Sequence, residues 1–455
     1  MSVSFDSIEP SHGPIVRSLL RAGIVVMLAV APLLLGSADP LFCGVWAGWV
    51  GLLYVALGLG PSAWSPMPKS RLLMVSGVLF GSAIAYMVVQ ALPAPWLGDF
   101  ALLGRSFTQD QISVARGDSL LMALRHATYA GLFVLVITLT SRSHTRHSLL
   151  SAIVLIVTFQ AAIGIISLRL LGDTAVGFDK LDHIGSATGT FTNRNVFAMM
   201  LAMGLNLAVG LAAKHVSAAR EQRRPWWTDG QLLVNLACCA VILSGILLSN
   251  SRMGLMVAVG SSALVLAASL SSRTNLKPLA FTSLVAVVLF GGLLALYGVA
   301  LIERLSDAGA DAQTRGRIYE LSFALIGERP LLGWGAGSFP QAVQVVRNDG
   351  MITDTVINRA HNTYFSVFAE LGLVAGAAFF VALLLPFLLI VRHVTDRGAE
   401  WRIAVMCSGA LLAAAIHSLV DYGLEIQSNA LLWVTILALG CSAALHGAKK
   451  RTPGN

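Results

Sequence analysis

Five arginines stand where apolar text starts or where it is interrupted. Arg194 lies in Gly189-Thr190-Phe191-Thr192-Asn193-Arg194-Asn195, Arg252 closes Ser249-Asn250-Ser251-Arg252, and Arg315, Arg317 and Arg359 belong to a long polar segment beginning near residue 303. A guanidinium presents a planar fork of N–H donors that fits phosphate oxygens, and several converging on one point suit a diphosphate better than a monocarboxylate. Two residues after Arg359 comes His361-Asn362. Imidazole changes protonation near neutral pH, so a histidine beside a cationic diphosphate site can serve as general base. Taken singly, each arginine reads equally well as an interfacial side chain or as the partner of an acid such as Asp307 or Asp311. Glu370, about two turns into the apolar run that follows, is a functional candidate or half of an internal ion pair. His417 and Asp421, four apart, would share a helical face on which the acid orients the imidazole or pairs with an arginine. The phrase Gly333-Trp334-Gly335-Ala336-Gly337 reads as a turn, since it lacks the strand and helix context of a nucleotide-binding loop. No acidic or histidine cluster has metal-ligand spacing, so chemistry without a metal or other cofactor is expected.

The elements that must position these groups are membrane spans. Of 455 residues, 56% are hydrophobic and 12% charged, against roughly 25% charged in a soluble domain, too little polar surface to cover a water-soluble globule. Twelve apolar runs are long enough to cross a hydrocarbon layer of about 30 Å as helices, with centres near Val30, Gly51, Leu79, Leu132, Val157, Ala202, Val241, Val259, Val287, Val381, Leu411 and Ile436. The runs lack period-2 alternation, which excludes a barrel. The predicted fold is therefore all-α and polytopic: residues 1–302 with nine spans, a partly helical outer loop at 303–361, and three more spans in 362–455. The cysteines, Cys43, Cys238, Cys239, Cys407 and Cys441, all fall inside apolar runs without C-x-x-C spacing and read as small core residues.

Basic residues set the expected orientation. Alternate connections carry Arg17 and Arg21, Lys69 and Arg71, Arg142 and Arg146, Lys214 with Arg220, Arg223 and Arg224, Arg273 and Lys277, Arg392 with Arg397 and Arg402, and Lys449 to Arg451. These mark the cytoplasmic side of the membrane, with both termini inside and the candidate site on the outer face. The net charge of +8 follows from this topology, so no nucleic-acid partner is inferred. Arginines on the outer face break the pattern. Near hydrocarbon depth an arginine costs roughly 2.5–3.5 kcal/mol on insertion scales, so retention there points to an anionic ligand or a buried partner.

In the order and spacing of these phrases the sequence resembles the O-antigen ligase and polymerase superfamily of bacterial inner-membrane enzymes. The resemblance spans roughly Gly189 to Gly376: the Thr192-Asn193-Arg194-Asn195 mouth, Ser251-Arg252, Gly316-Arg317 through Pro330 to Phe339, and His361-Asn362 followed by Gly372 and Gly376. It implies a metal-independent, inverting glycosyltransferase that takes a glycan from an undecaprenyl-diphosphate donor to a lipid A–core hydroxyl, or to a second lipid-linked glycan if the chain is a polymerase. Carried onto this chain, it implies diphosphate binding by Arg252 and Arg317 with Arg315 and Arg194 in support. His361 would deprotonate the acceptor, and Arg359, Asn362, Glu370, His417 and Asp421 would assist. The phrase after Arg317 lacks the expected tryptophan, which leaves open whether Arg315 or Arg317 meets the diphosphate. Two readings of other classes are a lipid-linked glycan flippase, which should lack an ordered outer loop, and a structural assembly subunit, in which neither His361 nor Arg252 would matter beyond folding.

Overall fold

The computed structural model describes residues 13–58, 68–95, 99–102, 105–108, 110–175, 178–180, 182–271, 305–346 and 357–447. Its helices are α1 (Gly13–Leu33), α2 (Leu41–Gly58), α3 (Arg71–Gln90), α4 (Arg116–Leu139), α5 (Ser143–Leu170), α6 (Arg194–Glu221), α7 (Gly230–Leu248), α8 (Arg252–Leu270), α9 (Leu305–Glu328), α10 (Phe339–Val346), α11 (Thr363–Asp396), α12 (Trp401–His417) and α13 (Gln427–Gly447). Among the described residues ten are long and apolar enough to cross a membrane, and α12 is a shorter apolar helix. The chain is a polytopic, helical membrane protein. Eleven of the twelve expected centres fall within these helices, and the run around Val287 lies outside the described residues. Two small antiparallel hairpins add to the helices, Asp99–Leu102 with Arg105–Thr108 and Thr174–Ala175 with Phe178–Asp179.

The most buried span is α6. Lipid offers helices no hydrophobic reason to associate, so close approach depends on small residues and polar bridges. An added Cβ at Gly204 would fall 2.3 Å from Val157, and at Gly210 2.4 Å from Met406, so neighbouring spans lie directly against the α6 backbone. Buried Asn206 donates to Ala202 O and to Ser261 Oγ of α8, both at 2.8 Å. All five cysteines are free, and four are buried.

The ends of the bundle differ chemically. At one end Arg146 pairs with Glu400 and donates to the carbonyls of Thr140 and Ser141, joining the α4–α5 turn to the α11–α12 turn. Arg397 there reaches Ser271, and its guanidinium stacks on Trp401 at 4.2 Å. At the opposite end lie the first residues of α6, α8 and α11, with α9 and α10 packed against α11.

The segment carrying α9 and α10 docks onto a break in α11. Gly372 has φ 75 and ψ 172, and an added Cβ would lie 2.4 Å from Leu331 O. The freed carbonyls of Ala369 and Glu370 accept from Trp334 N and Gly335 N, each at 3.0 Å, while Leu373 N donates to Pro330 O at 2.7 Å. Gly333 has φ +66, and an added Cβ would stand 2.3 Å from Glu370 O. Gly372 therefore admits a backbone loop rather than a second helix, and Gly376 packs on Phe368 of its own helix. Gln90 of α3 completes the joint by donating to Leu332 O and Glu370 O, both at 2.9 Å. Trp334 is buried, donates to Leu325 O at 2.8 Å, and lies 4.0 Å beneath the Arg329 guanidinium. Burial holds Arg329 well below the usual arginine range, at about 10.

Candidate functional site

Three helix N-termini meet at the α6, α8 and α11 end. Each begins at a residue whose side chain caps free backbone N–H groups. Asn193 accepts from Asn195 N and Val196 N, Ser251 from Gly254 N, and Asn362 from Tyr364 N and Phe365 N. The caps also interlock. Ser251 Oγ donates to Asn195 Oδ1 at 2.8 Å, and the Asn195 side chain hydrogen-bonds Asp421. Asn193 Nδ2 donates to Tyr422 OH at 3.0 Å, and Asn362 Nδ2 donates to Leu419 O at 2.8 Å. The positive dipole ends of three helices make such a junction a ready anion site.

The arginines add full charges to it. Arg194 and Arg252 are the first residues of α6 and α8. Arg194 reaches Ser186 Oγ at 3.4 Å, which Asn250 also contacts at 3.1 Å, so one loop braces both helix starts. Arg315 of α9 donates to Val420 O at 3.1 Å, and its charge acts on Asp421 and His417. Arg317 is exposed; two residues along a helix it lies about 200° round the axis from Arg315. The fold thus brings Arg315 against the α12–α13 turn and leaves Arg317 on the outer surface of α9.

His361 stands immediately before the α11 cap with φ 51, and Asn250 immediately before the α8 cap with φ 54. Left-handed backbone at a non-glycine residue costs about 1–3 kcal/mol and collects at functional sites. The His361 ring meets the Tyr422 ring edge to face at 5.1 Å, and its carbonyl accepts from Tyr319 OH at 3.3 Å. Thr363 N donates to Ser418 O at 3.0 Å, which ties the imidazole-bearing loop to the turn after α12. Burial pushes Asp421 up to about 6, although the Tyr422 N–H, Arg315 and Asn195 hold it down, and burial lifts Tyr422 to about 12.

The supporting residues separate. Because α12 ends at His417, capped by Ser418, Asp421 lies in the turn beyond and not one turn further along the same helix face. Among the described residues Glu370 has no ion-pair partner: its carboxylate accepts from Gly337 N at 2.8 Å and Phe339 N at 3.3 Å, anchoring the start of α10. Arg359 pairs with Glu425 at 3.0 Å and lies 5.8 Å over Tyr422.

Glu425 and Arg125 are two residues that sequence reading missed. Glu425 joins Arg359 to Ser366 Oγ, at 2.9 Å, and its carbonyl accepts from Arg125 NH2. An arginine inside the fourth apolar run was the available signal for Arg125. Both line a cavity of about 590 Å³ beside the junction, with Arg359 and Thr363 on the shared wall. Among the described residues no group of three His, Cys, Asp or Glu side chains could hold a metal ion.

Residues 237–380 match the O-antigen ligase family. Over that segment, about a third of its length, the chain is similar to this family. The matched segment contains Arg252, Arg315, Arg317, Arg359, His361, Asn362 and Glu370, whereas Arg125, Arg194, His417, Asp421 and Glu425 fall outside it. A comparison with curated proteins returned no match. Family members are membrane glycosyltransferase-like enzymes of ligase or polymerase type, the chemistry for which a cationic junction beside one histidine is suited.

Proposed function

We propose that the chain is an O-antigen ligase-like glycosyltransferase, acting at the periplasmic face of the inner membrane on a glycan carried by undecaprenyl diphosphate. The observation that carries this reading is the interlocking of three helix N-termini, two of them begun by Arg194 and Arg252, with the turn that Arg315 and the His361 ring contact. A diphosphate placed there accepts charge-assisted hydrogen bonds from guanidinium and backbone N–H groups. Arg317 faces the outer surface, from which it can meet the donor as it arrives. The basic end, with Arg146, Arg397 and Arg402, then lies on the cytoplasmic side together with both termini.

The reaction needs a positioned acceptor and a fixed leaving group. His361 takes the proton from an acceptor hydroxyl, the oxygen attacks the anomeric carbon, and the bond from that carbon to the diphosphate oxygen breaks. The diphosphate leaves with the electron pair, and its growing charge is met by the arginines and helix ends. Attack opposite the leaving group inverts the anomeric centre. A lipid A–core acceptor makes the enzyme a ligase, and a second lipid-linked repeat makes it a polymerase.

Purified protein given donor and acceptor tests the reading. His361→Ala should lower transfer by about 10²–10⁴-fold, the usual range for losing a general base, while donor binding persists. Undiminished transfer in that variant removes His361 from the mechanism.

A further inference from the structure

The cavity of about 590 Å³ beside the junction is within the size range of a small-molecule site, and its walls change character with depth. Phe379, Phe380, Phe387 and Trp433 line the part inside the spans. The rim carries Asp39, Asp118, Glu370 and Glu425 against Arg125 and Arg359. Those two guanidinium groups are already engaged, Arg359 by the Glu425 carboxylate and Arg125 by Tyr129 OH and the Glu425 carbonyl. A diphosphate brought to this rim would face more carboxylate than free cation, which opposes it. Sugar hydroxyls suit it, because they donate to carboxylate oxygens and tolerate aromatic neighbours. The apolar depth calls for a hydrocarbon anchor below those hydroxyls. Thr363, two residues after His361, lines the same cavity, so the loop that carries the imidazole borders it.

We propose that the cavity between α3, α4, α11 and α13 is the berth of the acceptor, a lipid-anchored glycan whose chain enters between Phe379 and Trp433 and whose hydroxyls meet the Asp39, Asp118 and Glu425 rim. This rests on the glycosyltransferase reading and deepens it by separating the two lipids: donor diphosphate at the helix junction, acceptor in the cavity. The acceptor loses one hydroxyl proton, to His361, and gains the glycosidic bond; nothing in the cavity itself breaks.

The test is binding, independent of turnover. Full-length protein is titrated with lipid A–core glycolipid in one arm, a lipid-linked repeat in a second, and undecaprenyl diphosphate in a third. Each titration is repeated with Ala415→Phe and Leu384→Trp, which fill the cavity from two helices. Both variants should weaken the lipid A–core glycolipid at least tenfold and leave undecaprenyl diphosphate and the lipid-linked repeat within twofold. Weakening of the lipid-linked repeat instead would contradict the exclusion of a diphosphate from this rim. Loss of undecaprenyl diphosphate binding with both glycolipids unchanged would reassign the cavity to the donor chain. Unchanged binding in all three arms would remove it from the substrate path. Failure of the glycosyltransferase reading looks different, as wild-type protein that binds these lipids and transfers no glycan.

Discussion

The helix junction and the cavity share a wall, Arg359 with Thr363, yet they are built from opposite materials. The junction gathers three helix N-termini and three arginines, and its acid, Asp421, is pushed toward the neutral form by burial. The cavity rim gathers four acids and two arginines, Arg125 bonded to Tyr129 and Arg359 paired with Glu425, above aromatic walls. On the proposed function, the arginines and helix ends of the first suit a diphosphate, and the acids of the second suit a hydroxyl-bearing lipid. Arg359 belongs to both regions, being paired with Glu425 and lying over Tyr422, two residues from His361. The lesson is that arginines earn different roles from their partners: Arg194 and Arg252 begin helices, while Arg125 and Arg359 complete walls.

The contrast breaks most severely at the joint beneath the cavity. Gly333→Val should destabilise the protein by about 3 kcal/mol or more, since a left-handed φ at a β-branched residue adds to a clash with the Glu370 carbonyl. Thermal unfolding in detergent measures this, and a wild-type midpoint would show that the loop does not dock on the α11 break.

A smaller effect sharpens the junction. Asp421 stands raised to about 6 from an ordinary 3.8. A raised carboxyl favours its protonated form in the folded state, so its stabilising contribution is present below the unfolded value and lost as pH climbs to about 6. The loss is at most about 3 kcal/mol, two units at 1.36 kcal/mol each. Asp421→Asn should flatten the fall in stability between pH 4 and 6. A slope equal to that of the wild type would place the titration elsewhere.

Much of the scaffold was legible because apolar run length decides which segments can span a bilayer, and eleven expected centres lie in helices. The junction was partly legible as well. Asn193, Ser251 and Asn362 are residue types that cap helices, and each precedes apolar text. What lay hidden were pairings across long separations: Arg125 with the Glu425 carbonyl is 300 residues apart, and no local pattern announces it. The kink at Gly372 was hidden for a related reason. Glycines four apart favour helix packing, and only the partner loop at Pro330 to Gly335 reveals that the spacing serves a backbone dock. Arg315 and Arg317 could not be ranked from text, because the choice depends on which way α9 is turned about its axis.

Titrating purified protein with undecaprenyl diphosphate tests most directly whether the helix junction holds a polyprenyl diphosphate. Losing charge-assisted hydrogen bonds worth about 1.5–3 kcal/mol should weaken binding by roughly ten- to a hundredfold in Arg252→Ala, and similarly in Arg315→Ala. Arg317→Ala, on the outer surface of α9, should cost less. Unchanged affinity in both Arg252→Ala and Arg315→Ala would contradict the assignment of the junction to the diphosphate.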